Sequence, residues 1–590
     1  MKTLLIHPQD GLQDGPWAAQ RWDRIIDLGK DGALSREAAE AALGCPVSTL
    51  DAFRGNNEEK RRVRDLLAFG MGRLCDLYGL DWWELTAIDV HEQLEVVYLL
   101  QKFVETVGVN DEVYISRTSF HADALREMLG SRLCTFGPIQ RPKGARHYLK
   151  VWRKFALPQL VEIFWDKTDP GFQFRGLFSV RRPVSSDDVI LLPSAYVNVS
   201  RTATAYAEIL PEANFLLVAT RRSGLLGHFP LNVSVASLRR YAAIGATSRR
   251  IELQGLSERW ARLLQEMMSI AELRTLADLG IFGDFPERFA RGLEVRDAWR
   301  NVLDREPVRA VICADTSNAF THIPLLLAAQ RGLPTIACHH GALDGRYFFK
   351  RNCAGVLLAK GEMERDYLAR VCEVPGEGME IGAPALDEAP RAQSHDAQKS
   401  KILFFSEAYE VAGGRARGFY RDILPGLADL AILQNCELIV KLHPSESRAD
   451  RTQLIAGILS PAQQRMAHIV DGPLTAGLLD KAWFGITILS TVAVECALRQ
   501  IPCFLCTWLE AWPYGYVDEF TRFGVGIRLQ TPDEIRQIPD ILKNYQPNDS
   551  PKENCWKVIA PQRLRTLLTI ENEKARSPVT GDERIVASPP

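Results

Sequence analysis

The chain has 590 residues, of which 46% are apolar and 24% are charged, and its formal net charge is −2. This length predicts about three domains of roughly 100–200 residues each. The balanced charge argues against a nucleic-acid-binding protein, which usually carries a basic excess. The twelve cysteines show no metal-ligand spacing, so we expect reduced, mostly buried thiols in a reducing compartment.

The hydropathy of the chain predicts its location. The apolar run after Met1 is too short for a secretory signal. No stretch approaches the roughly 18 apolar residues of a transmembrane helix. We therefore predict a cytoplasmic protein.

Residues 1–185 form the first predicted unit, an α/β accessory region without an assignable motif. Strands are predicted at 4–7 and 112–116, and helices at 58–80 and 90–107. The segment 139–155 that follows is basic and aromatic. It is typical of a solvated helix face, and the alternative is peripheral contact with the anionic surface of the inner membrane.

Alternating strands and helices begin again near residue 186 and predict a parallel sheet. This second unit covers residues 186–387 and is followed by a polar linker. A third α/β unit covers residues 400–570. The tail, 571–590, is charged and rich in serine and proline, and we predict that it is disordered.

Two apolar runs of the third unit end in polar side chains. The run 436–441 stops at Leu-His443-Pro, and the run 482–489 stops at Ser490-Thr491 before a helical stretch. In open parallel sheets, ligands bind outside the carboxyl ends of the strands. The first amides of a helix can also hold a phosphate. These patterns predict an edge that binds a phosphate-bearing ligand.

The ordered set of motifs over roughly residues 186–570 resembles that of GT-B glycosyltransferases. Lys-Leu-His443-Pro and Ser490-Thr491-x-x-x-Glu are similar to the donor-side motifs of capsule Kdo- and sialyl-transferases and of glycerophosphotransferases that use CDP-glycerol. His340-Gly, after a strand of the second unit, resembles their acceptor-side turn. The resemblance implies an α/β, GT-B-like fold with two Rossmann-like parallel-sheet domains facing a cleft.

The resemblance also implies a site for the donor nucleotide on the third unit. The residues assigned to its phosphates or nucleoside are His443, Lys441, Ser490, Thr491, Glu495 and, more weakly, Ser406. Each has a structural alternative. A serine or threonine before a helix commonly caps it, a first-turn glutamate is stabilised by the helix dipole, and Lys441 could pair with Glu446.

His340 is the predicted general base for the acceptor hydroxyl, because histidine has a suitable pKa range. Asp344 and Asp315 are rival bases, and the turn could instead bind the donor pyrophosphate or orient a loop. The chain contains no Asp-x-Asp pair, which often holds the metal of metal-dependent transferases. We therefore expect neither a metal nor another cofactor.

The activity implied by the resemblance is transfer of a sugar or polyol phosphate from a nucleotide-activated donor. The expected donor is CMP- or CDP-linked, with a UDP-sugar as rival. The expected acceptor is a saccharide or glycolipid of a growing surface polysaccharide, such as capsule or lipopolysaccharide. The alternatives are an isomerase similar to UDP-sugar 2-epimerases and a non-catalytic GT-B scaffold.

Overall fold

The computed structural model describes residues 1–7, 15–28, 44–53, 80–136, 187–384, 400–443 and 446–569, apart from short gaps within the longer ranges, and isolated residues between 61 and 74. The strands of these ranges form three sheets of five, seven and six strands. All strand pairings within the sheets are parallel.

The first sheet has the order β3-β2-β1-β4-β5. Its strands and the helices beside them are β1 (Lys2–Ile6), β2 (Arg24–Asp27), β3 (Val47–Thr49), α1 (Trp82–Glu105), β4 (Glu112–Ile115), α2 (Phe120–Leu129) and β5 (Leu133–Thr135). Helix α1 begins eight residues before its predicted start. Its cap explains this difference, because the Asp81 carboxylate accepts the N–H of Glu84 at 3.1 Å.

Helix α1 also joins the first sheet to the middle one. The rings of Trp82 and Phe289 meet edge to face with centroids 5.0 Å apart. A Cβ atom on Gly292 would lie 2.6 Å from the Trp82 ring, so only glycine leaves room for the indole there. The first unit is therefore packed on the second through buried aromatic contacts.

The middle sheet has the order β12-β11-β10-β9-β6-β7-β8. Its elements in chain order are β6 (Val189–Ser194), α3 (Val197–Ile209), β7 (Asn214–Ala219), β8 (Val233–Ser237), α4 (Ala246–Met267), α5 (Ala271–Asp278), α6 (Phe285–Arg305), β9 (Val308–Cys313), α7 (Ala319–Gln330), β10 (Thr335–Ala337), β11 (Val356–Ala359), α8 (Glu362–Arg370) and β12 (Met379–Ile381). The strands predicted between residues 188 and 359 are all present. Strand β8 was not predicted; it is an edge strand that pairs with β7.

The third sheet has the order β15-β14-β13-β16-β17-β18. Its elements are β13 (Lys401–Phe405), α9 (Ala416–Gln434), β14 (Glu437–Lys441), α10 (Arg448–Ala456), α11 (Pro461–Gln464), β15 (Ala467–Val470), α12 (Ala476–Leu479), β16 (Ala482–Thr487), α13 (Val492–Leu498), β17 (Cys503–Cys506), α14 (Tyr516–Arg522), β18 (Ile527–Leu529) and α15 (Ile538–Lys543). Short 3-10 helices cover Pro16–Ala19, Leu50–Phe53, Gly130–Arg132, Arg222–Leu225, Leu238–Tyr241, Gly345–Phe349, Thr507–Leu509 and Pro532–Gln537.

The last described helix, α16 (Pro561–Thr569), lies on the middle sheet. Its three buried leucines join the apolar cluster that contains β6, β7 and β9: Leu564, Leu567 and Leu568. Just before it, Val558 forms a parallel bridge with Ala383. The sequence predicts one unit over residues 400–570, whereas the end of that range packs on the second unit.

Each sheet contains one point at which the order of its strands reverses. These points lie between β1 and β4, between β6 and β9, and between β13 and β16. The loops that leave the two strands there run in opposite directions, which opens a crevice at the carboxyl edge of the sheet. The fold therefore offers three such crevices, one for each sheet.

The predicted α/β class is confirmed: the described strands form three parallel sheets, and helices alternate with the strands along the chain. None of the helices in the described ranges has the length and apolar character needed to span a membrane. The ten described cysteines are free thiols, and nine of them are buried.

Candidate functional site

Three neighbouring strands of the middle sheet bring a tyrosine, an aspartate and a histidine together. Tyr196 follows β6, Asp315 follows β9 and His340 follows β10. The Tyr196 hydroxyl donates to Oδ2 of Asp315 at 3.2 Å and lies 3.4 Å from Nε2 of His340. The tyrosine and histidine rings meet edge to face, with centroids 5.4 Å apart. Two of the three candidate bases from the sequence are thus linked through a residue that the sequence did not single out.

Asp315 is fully buried but remains ionised. Burial raises the pKa of its carboxyl, while His340, His339 and a 2.8 Å hydrogen bond from the Ser317 N–H lower it. The second set of effects is larger, and the pKa of Asp315 lies below its ordinary value. The middle sheet therefore holds a buried negative charge beside the imidazole of His340.

A buried lysine donates hydrogen bonds to the backbone of the turn that carries His340. Lys360 follows β11, is 1% exposed, and its Nζ donates to the carbonyl oxygens of His339 and Gly341. Its charge is balanced by Glu364, whose Oε1 lies 3.8 Å away. Because both carbonyls of the turn are fixed, the imidazole of His340 is presented from a rigid backbone.

One group of three side chains in the described part of the chain has metal-ligand geometry. Asp315, His339 and His340 each place one ligand atom within 4.8 Å of the others. The Gly341 N–H donates to Nδ1 of His339 at 3.1 Å, so a neutral His339 ring carries its proton on Nε2. Neither nitrogen of that ring then offers a lone pair to a cation unless this hydrogen bond is broken.

Lys441 ends β14 at the carboxyl edge of the third sheet. It is 6% exposed, and its Nζ donates to the Leu442 carbonyl at 2.6 Å. Burial lowers the pKa of the ammonium group; Asp471 and Glu446 oppose this shift, and Arg201 adds to it. Arg201 belongs to α3 of the middle unit, so a positive charge of the second unit acts on Lys441 of the third.

His443 follows Lys441 by two residues and is half-buried. Burial lowers the pKa of its imidazole, and the Glu446 carboxylate opposes this effect without reversing it. A neutral imidazole at this edge can donate one hydrogen bond and accept another. A bound phosphate would favour protonation of the ring and add an ionic contact.

The loop after β14 is built on a buried ion pair between Glu446 and Arg451. The two side chains are 2% and 3% exposed, and Arg451 Nε donates to Oε1 of Glu446 at 2.7 Å. Oε2 of Glu446 accepts the His443 N–H at 2.8 Å. The Ser406 hydroxyl donates to Oε1 at 2.8 Å and itself accepts from Tyr420 at 2.7 Å. Ser406 thus supports the loop, and Glu446 pairs with Arg451 rather than with Lys441.

Ser490 and Thr491 form the turn between β16 and α13. The Val492 N–H donates to the Ser490 hydroxyl at 3.4 Å, which gives Ser490 a capping role. Thr491 is exposed and its side chain makes no capping hydrogen bond. Glu495 lies on the same helix with Oε2 3.7 Å from Arg499. Capping is the structural alternative that the sequence left open for Ser490, whereas the ion pair of Glu495 with Arg499 was not predicted. Neither interaction prevents a ligand contact.

The two predicted edges meet at the turns that carry His340 and Thr491. A Cβ atom built on Gly341 would lie 3.6 Å from Cγ2 of Thr491, so the two turns are within van der Waals reach. Nearby, the Gly345 N–H donates to the Tyr516 hydroxyl at 2.8 Å. The turns that carry the acceptor-side and donor-side candidates therefore lie beside each other, where the second and third units meet.

Several predicted features lie outside the described residues. They are Asp344, the basic segment 139–155, the linker between residues 388 and 399 and the tail 571–590. Sequence reasoning in turn missed Tyr196, Lys360 and Arg201. Lys360 directly follows β11 and Tyr196 comes two residues after β6, and the end of a strand in a parallel sheet is itself a signal for functional side chains. Arg201 is a helix residue that no motif marked.

Comparisons with known proteins give structural neighbours only. No family model matches the chain, and no curated protein matches it. A UDP-GlcNAc 2-epimerase from Methanocaldococcus jannaschii, in complex with UDP-GlcNAc and UDP, is 14% identical over 65% of this chain and 99% of its own, with a TM-score of 0.39. Acinetobacter baumannii MurG has the same identity and coverages and a TM-score of 0.37. A glycosyltransferase from Rickettsia africae is 11% identical over 65% and 94%, with a TM-score of 0.34. At these values the similarities assign neither a family nor an activity.

Proposed function

We propose that the protein is a glycosyltransferase that moves a sugar or polyol phosphate from a nucleotide-activated donor to a saccharide or glycolipid acceptor. The observation that supports this function best is the proximity of two turns: a Cβ atom built on Gly341 would lie 3.6 Å from Cγ2 of Thr491. A transferase must hold a base for the acceptor beside the phosphates of the donor, and this proximity brings the turns of the two candidate groups together.

His340 is the proposed base, and the tautomer follows from its neighbours. The single hydroxyl proton of Tyr196 is directed to Asp315, so the contact with His340 requires a proton on Nε2 of the imidazole. Nδ1 then carries the lone pair for the acceptor proton; this atom is buried in the structure, so the proposal requires that acceptor binding opens a path to it. The ionised Asp315 stabilises the imidazolium that forms, acting through the tyrosine hydroxyl.

Departure of the donor nucleotide is the second chemical requirement. As the acceptor oxygen bonds to the transferred group, the bond to the leaving phosphate breaks and its electron pair goes to a phosphate oxygen. Lys441 and Arg201 supply positive charge from the two units, and His443 and Thr491 supply hydrogen bonds. Electrostatic stabilisation of such a leaving group is commonly a large part of catalysis.

The proposed donor is CMP- or CDP-linked, with a UDP-sugar as the rival, and the proposed product belongs to a surface polysaccharide. His443→Ala should weaken binding of the preferred nucleotide by about tenfold or more, because a charge-assisted hydrogen bond is lost. Calorimetry with CMP, CDP, UDP and GDP measures this change and names the nucleotide.

His468→Ala is the matched control for that experiment, since His468 is an exposed residue of β15 in the same unit. Equal affinities of wild type and His443→Ala for all four nucleotides would remove His443 from the site. An isomerase would convert the donor without an acceptor. Nucleotide release that requires an acceptor therefore separates the transferase from the epimerase alternative.

We also propose that the reaction needs no metal. Full activity is expected after treatment with EDTA, because cationic side chains replace a metal at the phosphates. The measurement is the initial rate of nucleotide release before and after chelation. Activity that disappears and then returns with magnesium would contradict this part of the proposal and would direct attention to the group of Asp315, His339 and His340.

A further inference from the structure

Helices α8 and α14 carry charged side chains that the proposed function does not use. Helix α8 belongs to the second unit and α14 to the third. Glu519 of α14 is 0% exposed. Its Oε2 accepts a hydrogen bond from Nη2 of Arg370 on α8, and its Oε1 accepts one from Nη2 of Arg522 at 2.7 Å. A buried carboxylate of the third unit is therefore paired with a cation of the second.

Asp366, one helical turn before Arg370 on α8, closes these contacts into a ring. Its Oδ2 lies 3.3 Å from Nε of Arg370 and also accepts a hydrogen bond from Nη2 of Arg522. Each carboxylate thus pairs with both arginines, and two of the four ion pairs cross from one unit to the other. This ionic clamp consists of Asp366, Arg370, Glu519 and Arg522.

The burial of Glu519 distinguishes the clamp from an ordinary surface ion pair. Exposed ion pairs contribute little to stability. A buried charge that loses its partner is strongly disfavoured, because neither water nor a counter-ion replaces the lost contact. Without Arg370, the Glu519 carboxylate would keep only one of its two arginines in the clamp. Movement of the third unit away from α8 would then let water reach this carboxylate.

Helix α14 also contacts the loop that follows the His340 turn. The hydroxyl of Tyr516, the first residue of α14, accepts the Gly345 N–H at 2.8 Å. Gly345 follows Gly341 by four residues. The ring of Tyr516 lies beside that of Tyr367 on α8, with centroids 5.5 Å apart. Helix α14 is therefore attached to the second unit at its first residue, near the candidate site, and by the clamp in its last turn.

We propose that Glu519 is a positioning residue whose ion pair with Arg370 keeps the turn that carries Thr491 beside the turn that carries His340. The effect of Glu519 on catalysis rests on the proposed function, whereas its effect on the contact between the two units does not. Loss of one hydrogen bond to a charged group should raise the population in which α14 is detached from the second unit by about tenfold or more.

Hydrogen exchange of the full chain measures this detachment. In Arg370→Met, a peptide that covers residues 345–349 should exchange about tenfold faster or more than in the wild type, because the Gly345 N–H is bonded to α14. Glu519→Gln should give the same change. Arg370→Lys keeps the positive charge and should stay close to the wild type. Arg370 is more than half exposed, so its variants should keep the fold, which thermal unfolding checks.

Asp518→Asn is the matched control for the exchange experiment. Asp518 precedes Glu519 on α14, is 73% exposed and pairs with Arg528 of the same unit. Exchange of the 345–349 peptide should therefore be unchanged in this variant. Equal exchange in the wild type and in Arg370→Met would overturn the proposal. Acceleration of the same size in Asp518→Asn would also overturn it, because general loosening of α14 would then explain the result.

Kinetics test the positioning role. In Arg370→Met, kcat should fall about tenfold, because a misplacement of roughly 1 Å can lower rates by up to about 10²-fold. The Kd of the nucleotide should change by less than about threefold, since its predicted ligands His443 and Thr491 belong to the third unit. Faster exchange with unchanged kcat would overturn the positioning role. Lack of transfer by the wild type would contradict the proposed function, and the exchange result would still decide whether the clamp joins the units.

Discussion

Replacing His340 with glutamine is expected to lower kcat by about 10²- to 10⁴-fold, the usual contribution of general acid–base catalysis. Glutamine keeps a polar group near the position of Nε2 but cannot accept the acceptor proton. The Kd of the donor nucleotide should change by less than about twofold, because an interaction used in proton transfer contributes little to ground-state binding. Steady-state rates and donor calorimetry together measure both parts of this result.

Two variants give this experiment its controls. Tyr196→Phe removes the hydroxyl between Asp315 and His340, so its kcat should fall less than that of His340→Gln. His228→Gln changes an exposed histidine of the same unit and should leave the rate unchanged. Near-normal turnover in His340→Gln would move the base to Asp344 or Asp315.

Glu446→Ala is expected to lower the stability of the third unit by about 3–5 kcal/mol, because it leaves the buried Arg451 guanidinium without its ionic partner. The same change removes the acceptor for the His443 N–H and for the Ser406 hydroxyl. Urea unfolding, followed by pulsed hydrogen exchange of peptides from β13 and β14, reports on this unit separately from the other two.

The neighbouring pair Arg448–Asp471 is the matched control for Glu446→Ala. Both side chains are more than half exposed and their charged atoms are 3.2 Å apart. Asp471→Ala should therefore change stability by only about 0.2–1 kcal/mol. If the two variants lost equal stability, the buried Glu446–Arg451 pair would not be what stabilises the loop that carries His443.

The strands that could be predicted from the sequence are those that cross the centre of a sheet. β9, β13 and β16 are apolar runs because helices cover both faces of a parallel sheet. Strands β8, β15 and β18 lie at or beside an edge, and their apolar pattern is weaker. Helix α1 begins earlier than its periodicity indicates because the Asp81 cap and the contact of Trp82 with the middle unit determine its start.

The candidate site could be predicted only where a side chain follows a recognisable strand or motif. His340 and Asp315 satisfy that condition. Tyr196 is separated from Asp315 by 119 residues, and no local sequence pattern predicts the hydrogen bond between them. Ser406 shows that a strand end alone does not determine a role. It follows β13 as the sequence predicts, but its hydroxyl donates to Glu446. The ends of the strands, which the sequence predicts, identify the carboxyl edge of the sheet. The hydrogen-bond partners of the side chains at that edge depend on tertiary contacts, which the sequence does not show.

The return of α16 to the middle sheet has a mechanical consequence. The chain passes between the second and third units twice, once between Pro384 and Ser400 and again between Tyr545 and Cys555. A body held by two separate connections cannot twist as freely as one held by a single connection, so the return of α16 restricts the motion of the third unit relative to the second. A single connection would permit such twisting, which would separate the turn that carries His340 from the turn that carries Thr491.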